Sequence, residues 1–266
     1  GKAQVLLARG ENEQALNELN QVLLDHPGHV ESRLARGDLL RRMQRLGDAE
    51  TDYARAAQEA PQNVRAHIGL AMVHVGQRDV PAAKQDLATL KQLAPNLPAV
   101  NYLQALVSFQ DGDYERASDE LQTLLRVAPG NLQAQLLYGI VSYARKEFTI
   151  ADDYLTRVLA STPGNTEVVK LVGAARLKLR QPDRALEVLS SAVDADTKDA
   201  QLLALLGTAY LQTGNNTKGS EYIEGAVELD PDQALLRTQL AVGRIGAGDT
   251  ASAISQLESA VALGQD

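Results

Sequence analysis

The sequence predicts an all-α protein, a solenoid of about eight helical hairpins, and three periodic features of its 266 residues indicate this fold. Apolar residues recur three or four positions apart in paired runs, which is typical of amphipathic helices. Proline recurs at a spacing of 34 residues, and so do small residues. Because a solenoid rebuilds the same packing contacts at every step, such registers indicate a stack of similar units.

One unit, residues 132–165, displays the whole pattern. Residues 136–143 and 150–159 are apolar-periodic, and a polar break separates them. The unit closes with Pro163, Gly164 and Asn165, a cluster that stops a helix and turns the chain. The unit is therefore predicted to be a helical hairpin.

The proline register marks the end of each predicted second helix. Proline cannot continue a helix, and it moves the preceding residue out of the helical region, so the chain turns at a fixed place. Pro81, Pro98 and Pro182 lie outside this register, but each falls at a predicted helix start, where the missing amide hydrogen costs little. The register contains Pro27, Pro61, Pro95, Pro129, Pro163, Thr197 and Pro231.

Small residues occupy two further registers, one in each predicted helix of the hairpin. They let the two helices approach closely, whereas a bulkier side chain would overpack the contact by ~1–3 kcal/mol. In the first helix they are Gly37, Ala71, Ala105, Gly139, Gly173, Gly207 and Ala241. In the second they are Ala15, Ala49, Ala83, Ala117, Ala151, Ala185, Gly219 and Ala253.

A small residue at the eighth position of each unit, Ala at the twentieth and Pro at the thirty-second resemble the tetratricopeptide repeat (TPR). The resemblance implies a right-handed superhelical α-solenoid of TPR hairpins. The sequence departs from the family pattern at Thr197 and Gly219. It also departs at the fourth position, where Trp is usual and this chain has Arg33, His67, Asn101, Gln135, Val169, Leu203 and Arg237.

The register predicts one solenoid over residues 1–266. Its repeats are 1–29 (truncated), 30–63, 64–97, 98–131, 132–165, 166–199, 200–233 and 234–266. Ala3 falls at the small position of a first helix, so we expect this sequence to be a fragment of a longer protein. Thr197 and residues 214–219 predict the most mobile joint, and a solenoid cut between repeats predicts end-to-end self-association.

Composition and motifs argue against several classes of function. A net charge of −8 argues against a nucleic-acid partner, because that binding depends on Lys and Arg. The absence of Cys, with only four His, leaves no basis for a nucleophile and base pair. His67 and His74 are spaced for packing rather than for metal binding. We therefore predict a non-enzyme with no cofactor and no metal.

In the resembled family, the first helix of each repeat lines a concave groove that binds a partner. Carried over by position, the groove consists of Ile68, Met72, Val75, Tyr102, Leu106, Phe109, Leu136, Ile140 and Tyr143. Its charged rim includes Arg41, Arg42, Lys170 and Lys178. An apolar centre with a charged rim favours a protein partner, either an amphipathic helix or an extended peptide. Alternatively, part of this strip closes against neighbouring helices.

A second class of ligand is a polysaccharide, because Tyr102, Phe109 and Tyr143 have rings that can stack on sugar faces. Residues 97–122, 199–215 and 236–240 resemble the large TPR lipoproteins of the PEP-CTERM and exopolysaccharide systems of Gram-negative bacteria. This resemblance implies a periplasmic scaffold in exopolysaccharide export or protein sorting, held at the outer membrane by a lipid anchor outside this sequence. The alternative is a cytoplasmic peptide-binding adaptor.

Overall fold

The computed structural model describes residues 1–194 and 197–264, and this part of the chain contains sixteen α-helices arranged as hairpins. The first helices of the hairpins are α1 (Lys2–Ala8), α3 (Val30–Arg42), α5 (Val64–Gln77), α7 (Pro98–Gln110), α9 (Leu132–Ala144), α11 (Thr166–Lys178), α13 (Ala200–Gln212) and α15 (Ala234–Gly246). The second helices are α2 (Asn12–Asp25), α4 (Leu46–Glu59), α6 (Val80–Leu93), α8 (Tyr114–Val127), α10 (Phe148–Ser161), α12 (Pro182–Ser190), α14 (Asn216–Leu229) and α16 (Thr250–Leu263). The predicted all-α class is confirmed.

The helices form two compact units, Gly1–Ala134 and Gln135–Asp266. In the first unit, buried Leu, Ala and Tyr53 side chains from α1 to α5 form one core, and α5 to α7 share another. In the second unit, one core extends from α10 to α13 and a smaller one joins α14 to α15. The predicted single solenoid and its repeat boundaries stay predictions. The predicted sixth repeat includes Ala195 and Asp196, and the eighth ends on Gln265 and Asp266, all outside the described residues.

Close helix approach at the small positions is confirmed. A Cβ atom added to Gly139 would lie 2.6 Å from Cγ of Leu155, and one added to Gly173 would lie 2.6 Å from Cγ of Leu189. Real Cβ atoms essentially never come so near another heavy atom. Each glycine therefore provides the space that a Leu of the second helix fills.

The prolines outside the register lie at helix starts, as the sequence predicts. Pro98 and Pro182 begin α7 and α12, and Pro81 is the second residue of α6. Thr197 replaces a stop proline, and the helix before it, α12, is short. It has nine residues, whereas α10 and α14, the second helices of the adjacent hairpins, each have 14. The Thr197 hydroxyl oxygen accepts a 2.8 Å hydrogen bond from the backbone N–H of Asp194. The predicted mobility of this joint stays a prediction.

The fourth position of the repeat has a structural role that the sequence alone did not suggest. Arg237 Nε donates a 3.0 Å hydrogen bond to the carbonyl of Pro231, and Arg33 donates to the carbonyl of Pro27. His67 Nε2 lies 2.8 Å from the carbonyl of Pro61, and it must be the donor because a carbonyl only accepts. At the fourth position, Arg and His side chains thus connect the turn to the helix that follows it through hydrogen bonds.

The turn inside each hairpin also follows the period of 34 residues. One residue per turn has a positive φ, the left-handed region that favours Gly. Four of these residues are glycine and four are not, so half of the turns bear the steric cost of a side chain there. In chain order they are Gly10, Gln44, Arg78, Gly112, Lys146, Arg180, Gly214 and Gly248.

None of the described helices combines the length and the apolar character that crossing a membrane requires.

Candidate interaction surface

In the first unit, the predicted groove residues lie on α5 and α7. Ile68, Met72 and Leu106 pack against the core that these helices share but remain half-buried, so part of each side chain faces outward. Val75 is different, because only 7% of it is exposed. The side chain of Val75 is thus packed against its neighbours, whereas Ile68, Met72 and Leu106 retain accessible apolar surface.

In the second unit, the predicted residues lie on α9. Leu136, Ile140 and Tyr143 are all half-buried, and Leu136 and Tyr143 pack against the core of α10 to α13. As in the first unit, these side chains divide their surface between the core and the outside.

The aromatic residues of the predicted surface make contacts within the chain. The Phe109 ring lies 5.6 Å from the Tyr114 ring, and the Tyr143 ring lies 5.3 Å from the Phe148 ring, edge to face. Burial raises the pKa of the Tyr102 hydroxyl. The Phe109 and Tyr143 rings therefore pack within their own hairpins, and Tyr102 is half-buried, which leaves less ring surface for stacking on a sugar.

The four predicted rim cations differ in their surroundings. Arg42 and Lys178 are exposed, and Arg41 is half-buried. Lys170 is only 7% exposed, and its ammonium lies 2.8 Å from both Glu167 and Asp199. Burial lowers the pKa of Lys170, but its bonds to these two carboxylates outweigh burial and raise the pKa overall. Its charge is neutralised within the chain, so we omit Lys170 from the surface proposed below.

A charged network covers part of α3 and α5. Asp38 accepts a 2.6 Å hydrogen bond from the Tyr53 hydroxyl and is paired with Arg65. Arg65 also lies 3.2 Å from Glu31. Since the charges of Asp38 and Arg65 are matched locally, this end of the first unit offers less attraction for a charged partner.

Tyr53 makes the stability of the protein sensitive to alkaline pH. Burial, followed by the hydrogen bond to Asp38, raises the pKa of Tyr53 well above its ordinary value. An unfolded chain ionises Tyr near pH ~10, whereas the folded state keeps Tyr53 protonated, so its contribution to stability is full below that pH and is lost above it. We expect the free energy of unfolding in urea to fall from about pH 9 to about pH 11, and to fall less in Tyr53→Phe.

Tyr114→Phe is the control for this prediction, because it makes the same change at a tyrosine that is 38% exposed and not buried. An equal fall in wild type and Tyr53→Phe would contradict the assignment to Tyr53.

Pattern reasoning missed a set of apolar residues on α15. Leu235, Val242 and Ile245 are 66%, 57% and 55% exposed. Val242 and Ile245 occupy the ninth and twelfth positions of the repeat, as Met72 and Val75 do in the predicted groove, and Leu235 occupies the second. Val242 follows Ile140 by three periods, so the signal was present in the sequence. The prediction was restricted to the middle repeats and for that reason omitted them.

Within the described residues, no group of three or more His, Asp or Glu side chains is arranged to hold a metal ion. His74 Nδ1 lies 2.6 Å from Asp86, and His29 accepts a hydrogen bond from the backbone N–H of Ser32 at the start of α3. Both histidines therefore have partners that account for them structurally.

Profiles of the tetratricopeptide repeat match most of the chain. One matches residues 1–64 and 102–166, and another matches residues 40–107 and 176–242. This chain belongs to the tetratricopeptide repeat family. TPR proteins generally mediate protein–protein interactions, and the fold is typically a non-catalytic scaffold.

This chain is similar to many solved structures, and 386 chains of known structure match it. A TPR protein from Parabacteroides merdae aligns with a TM-score of 0.63 at 16% identity, over 91% of this chain and 96% of that one. PilF of Pseudomonas aeruginosa aligns with a TM-score of 0.65 at 16% identity, over 76% of this chain and 92% of that one. Identities this low establish the fold alone.

A chain in the structure of the APC/C hetero-tetramer Cut9–Hcn1 aligns with a TM-score of 0.78 at 17% identity, over 91% of this chain. The match covers 48% of that chain, so this TPR chain spans about half its length. No curated protein sequence matches this chain significantly.

Proposed function

We propose that this TPR chain is a non-catalytic scaffold that binds a protein segment on the surface of its first helices. The observation that carries the proposal is the exposure of apolar side chains at groove positions. Ile68, Met72 and Leu106 in the first unit are half-buried, and Val242 and Ile245 in the second unit are more than half exposed. Apolar surface that the fold does not cover is a common feature of interaction sites.

A peptide fits this surface better than a polysaccharide does. Met72 and Leu106 offer flexible aliphatic contacts suited to apolar side chains. The side-chain NH2 groups of two glutamines near the aromatic rings donate within the chain: that of Gln104 to Glu120, and that of Gln110 in a 2.8 Å hydrogen bond to the carbonyl of Val75. The polysaccharide alternative depends on Tyr102, Phe109 and Tyr143, and two of those rings pack on their neighbours.

We further propose a cellular context in exopolysaccharide export or PEP-CTERM protein sorting. The resemblance of residues 97–122 and 199–215 to the TPR lipoproteins of those systems supports it. In that context the protein is periplasmic, and its full-length form is anchored at the outer membrane by a lipid. The alternative is a cytoplasmic adaptor. Fractionation of the native host tests the choice, since recovery in the cytoplasm would contradict the periplasmic proposal.

Retention of partners on immobilised protein tests the binding proposal. Three variants are compared with wild type: Met72→Glu/Leu106→Glu in the first unit, Ile140→Glu in the second, and Tyr102→Ala/Phe109→Ala/Tyr143→Ala. Extracts of the native host are applied, and retained protein and carbohydrate are assayed separately.

We expect a protein to be retained by wild type and lost by at least one of the two Glu variants, because a buried charge opposes apolar contact. Leu24→Glu is the matched control, since Leu24 is 73% exposed and lies on a second helix. Thermal melting of each variant verifies that it folds. Carbohydrate retained by wild type and lost only in the aromatic variant would favour the polysaccharide alternative. Equal protein retention by every variant would place binding elsewhere.

A further inference from the structure

Leu257, on the second helix of the last hairpin, is exposed at a position where every other hairpin buries its side chain. It is 39% exposed, whereas its seven equivalents are each 5% exposed or less. They are Leu19, Tyr53, Leu87, Leu121, Leu155, Leu189 and Ile223. The first helix of the next hairpin covers this position: Ile223, for example, shares a core with Leu236 and Leu240 of α15. The last hairpin therefore exposes a face that the other hairpins bury against a neighbour.

Val5, on the first helix of the first hairpin, is the complementary exception. It is 52% exposed, whereas the residue at the same position of each other first helix is buried. Those residues are Leu39, Val73, Val107, Val141, Ala175, Ala209 and Gly243. The chain thus exposes one side of a hairpin-to-hairpin contact on α1 and the other side on α16.

The contact between the last two hairpins shows which side chains meet across such an interface. A Cβ atom added to Gly243 on α15 would lie 2.5 Å from Oγ of Ser220 on α14. Gly243 occupies the position that Val5 has on α1. Ser220 occupies the position that Ile254 has on α16, where Ile254 is 52% exposed. A second copy placed by the same geometry would bring Val5 against Ile254, which removes apolar surface of both from water.

The charges of the two faces are also complementary. Arg36 of α3 donates a 2.8 Å hydrogen bond to Asn20 of α2, in the preceding hairpin. Lys2 occupies the position of Arg36 on α1, and it remains 72% exposed although it pairs with Glu18. The position of Asn20 is taken on α16 by Glu258, which is exposed. A basic residue would therefore meet an acidic one, whereas two copies of α16 face to face would bring two Glu258 carboxylates together.

We propose that a second copy of the chain docks on the exposed face of the last hairpin, with its α1 covering Ile254 and Leu257 and its Lys2 paired with Glu258. The sequence predicts end-to-end association, and this inference gives that association a face and an ion pair. It goes beyond the proposed function, which concerns the surface of the first helices. Because the two faces differ, the interface is heterologous, so copies add one after another until the assembly closes into a ring.

The mass of the full chain in solution tests the proposal, measured by light scattering and sedimentation velocity from micromolar to millimolar concentration. We expect the mean mass of the wild type to rise with concentration. Val5→Glu and Ile254→Glu should each weaken association by about tenfold or more, because each buries a charge in the apolar contact. Leu24→Glu is the matched control: Leu24 is 73% exposed on a second helix, so the variant should change association by less than about twofold. Melting curves verify that each variant folds.

A mixture of the Val5→Glu and Ile254→Glu chains tests whether the two faces bind each other. Each chain retains one intact face, so the mixture should form a complex with one copy of each, about as tightly as the wild type associates. The ion pair is tested by Glu258→Lys, which should weaken association about threefold. Glu228→Lys makes the same charge change at an exposed residue of α14 and should have no such effect.

Four results would overturn the proposal. The first is a wild-type chain that stays monomeric at millimolar concentration. The second is association that Ile254→Glu abolishes and Val5→Glu leaves intact, which indicates contact between two identical faces. The third is a mixture of folded variants that does not recover association, and the fourth, against the ion pair, is equal weakening by Glu258→Lys and Glu228→Lys. None of these results affects the proposed function, because the substituted residues lie outside the predicted groove.

Discussion

Replacing Asp52 by Ala should lower the free energy of unfolding by about 3 kcal/mol, because the change removes the buried carboxylate that pairs with the partly buried guanidinium of Arg36. Asp52 is 1% exposed and accepts hydrogen bonds of 2.7 and 2.6 Å from the guanidinium of Arg36. Arg33 lies 3.7 Å from the same carboxylate. The two arginines are on α3 and Asp52 is on α4, so this cluster joins the two helices of one hairpin.

Urea unfolding followed by circular dichroism measures the effect of Asp52→Ala, with Asp153→Ala as the control. Asp153 also pairs with an arginine, Arg157, at 2.7 Å, but both side chains are more than half exposed. Exposed pairs of this kind contribute at most about 0.5 kcal/mol. Similar losses in the two variants would contradict the special role of burial at Asp52.

Gly207→Val should lower the free energy of unfolding by about 3 kcal/mol through overpacking of α13 against α14. A Cβ atom at position 207 would lie 2.8 Å from the backbone carbonyl oxygen of Gly219 and against the side chain of Ile223. Ile223 is fully buried, and a backbone oxygen moves only if its helix moves. The contact therefore has little room to relax, and the loss is expected in the midpoint of thermal or urea unfolding.

Gly225→Ala is the matched control for Gly207→Val, because it alters a glycine of the same helix pair and should have the opposite sign. The nearest atom to a Cβ at position 225 is 3.4 Å away, which is ordinary contact. Ala is the better helix former by about 1 kcal/mol, so this variant should be more stable than wild type. A stable Gly207→Val variant would show that α13 and α14 can separate without cost.

Local periodicity was enough to predict the hairpins. The stop prolines and the two small registers reflect constraints that act within one repeat: where a helix must end, and where a second helix must come close. Gly139 and Gly173 illustrate this, since each faces a Leu of its own hairpin. The turn residues with a positive φ also recur every 34 residues. Half of them, such as Arg78 and Lys146, are not glycine, so the residue types alone did not reveal them.

The candidate surface was predicted less completely than the fold. Met72 and Leu106, which helical position assigns to the groove, are half-buried, whereas Val75, assigned to it in the same way, is only 7% exposed. The prediction also missed Leu235, Val242 and Ile245 on α15, because it was restricted to the middle repeats. The sequence showed which residues are apolar. It did not show how much of the surface of each side chain is covered by its neighbours.

The sequence by itself determined that this TPR chain is all-α, where its helices stop and which residues are small at the helix contacts. Only the tertiary structure decided which side chains are left for a partner. Lys170 illustrates the reason: its charge is neutralised by Asp199, which lies 29 residues along the chain at the start of the next first helix. The exposed apolar side chains of α15 and the ion-paired Lys170 of α11 follow the same helical periodicity. Periodicity indicates the face of the helix on which a residue lies, and not the neighbour that packs against it.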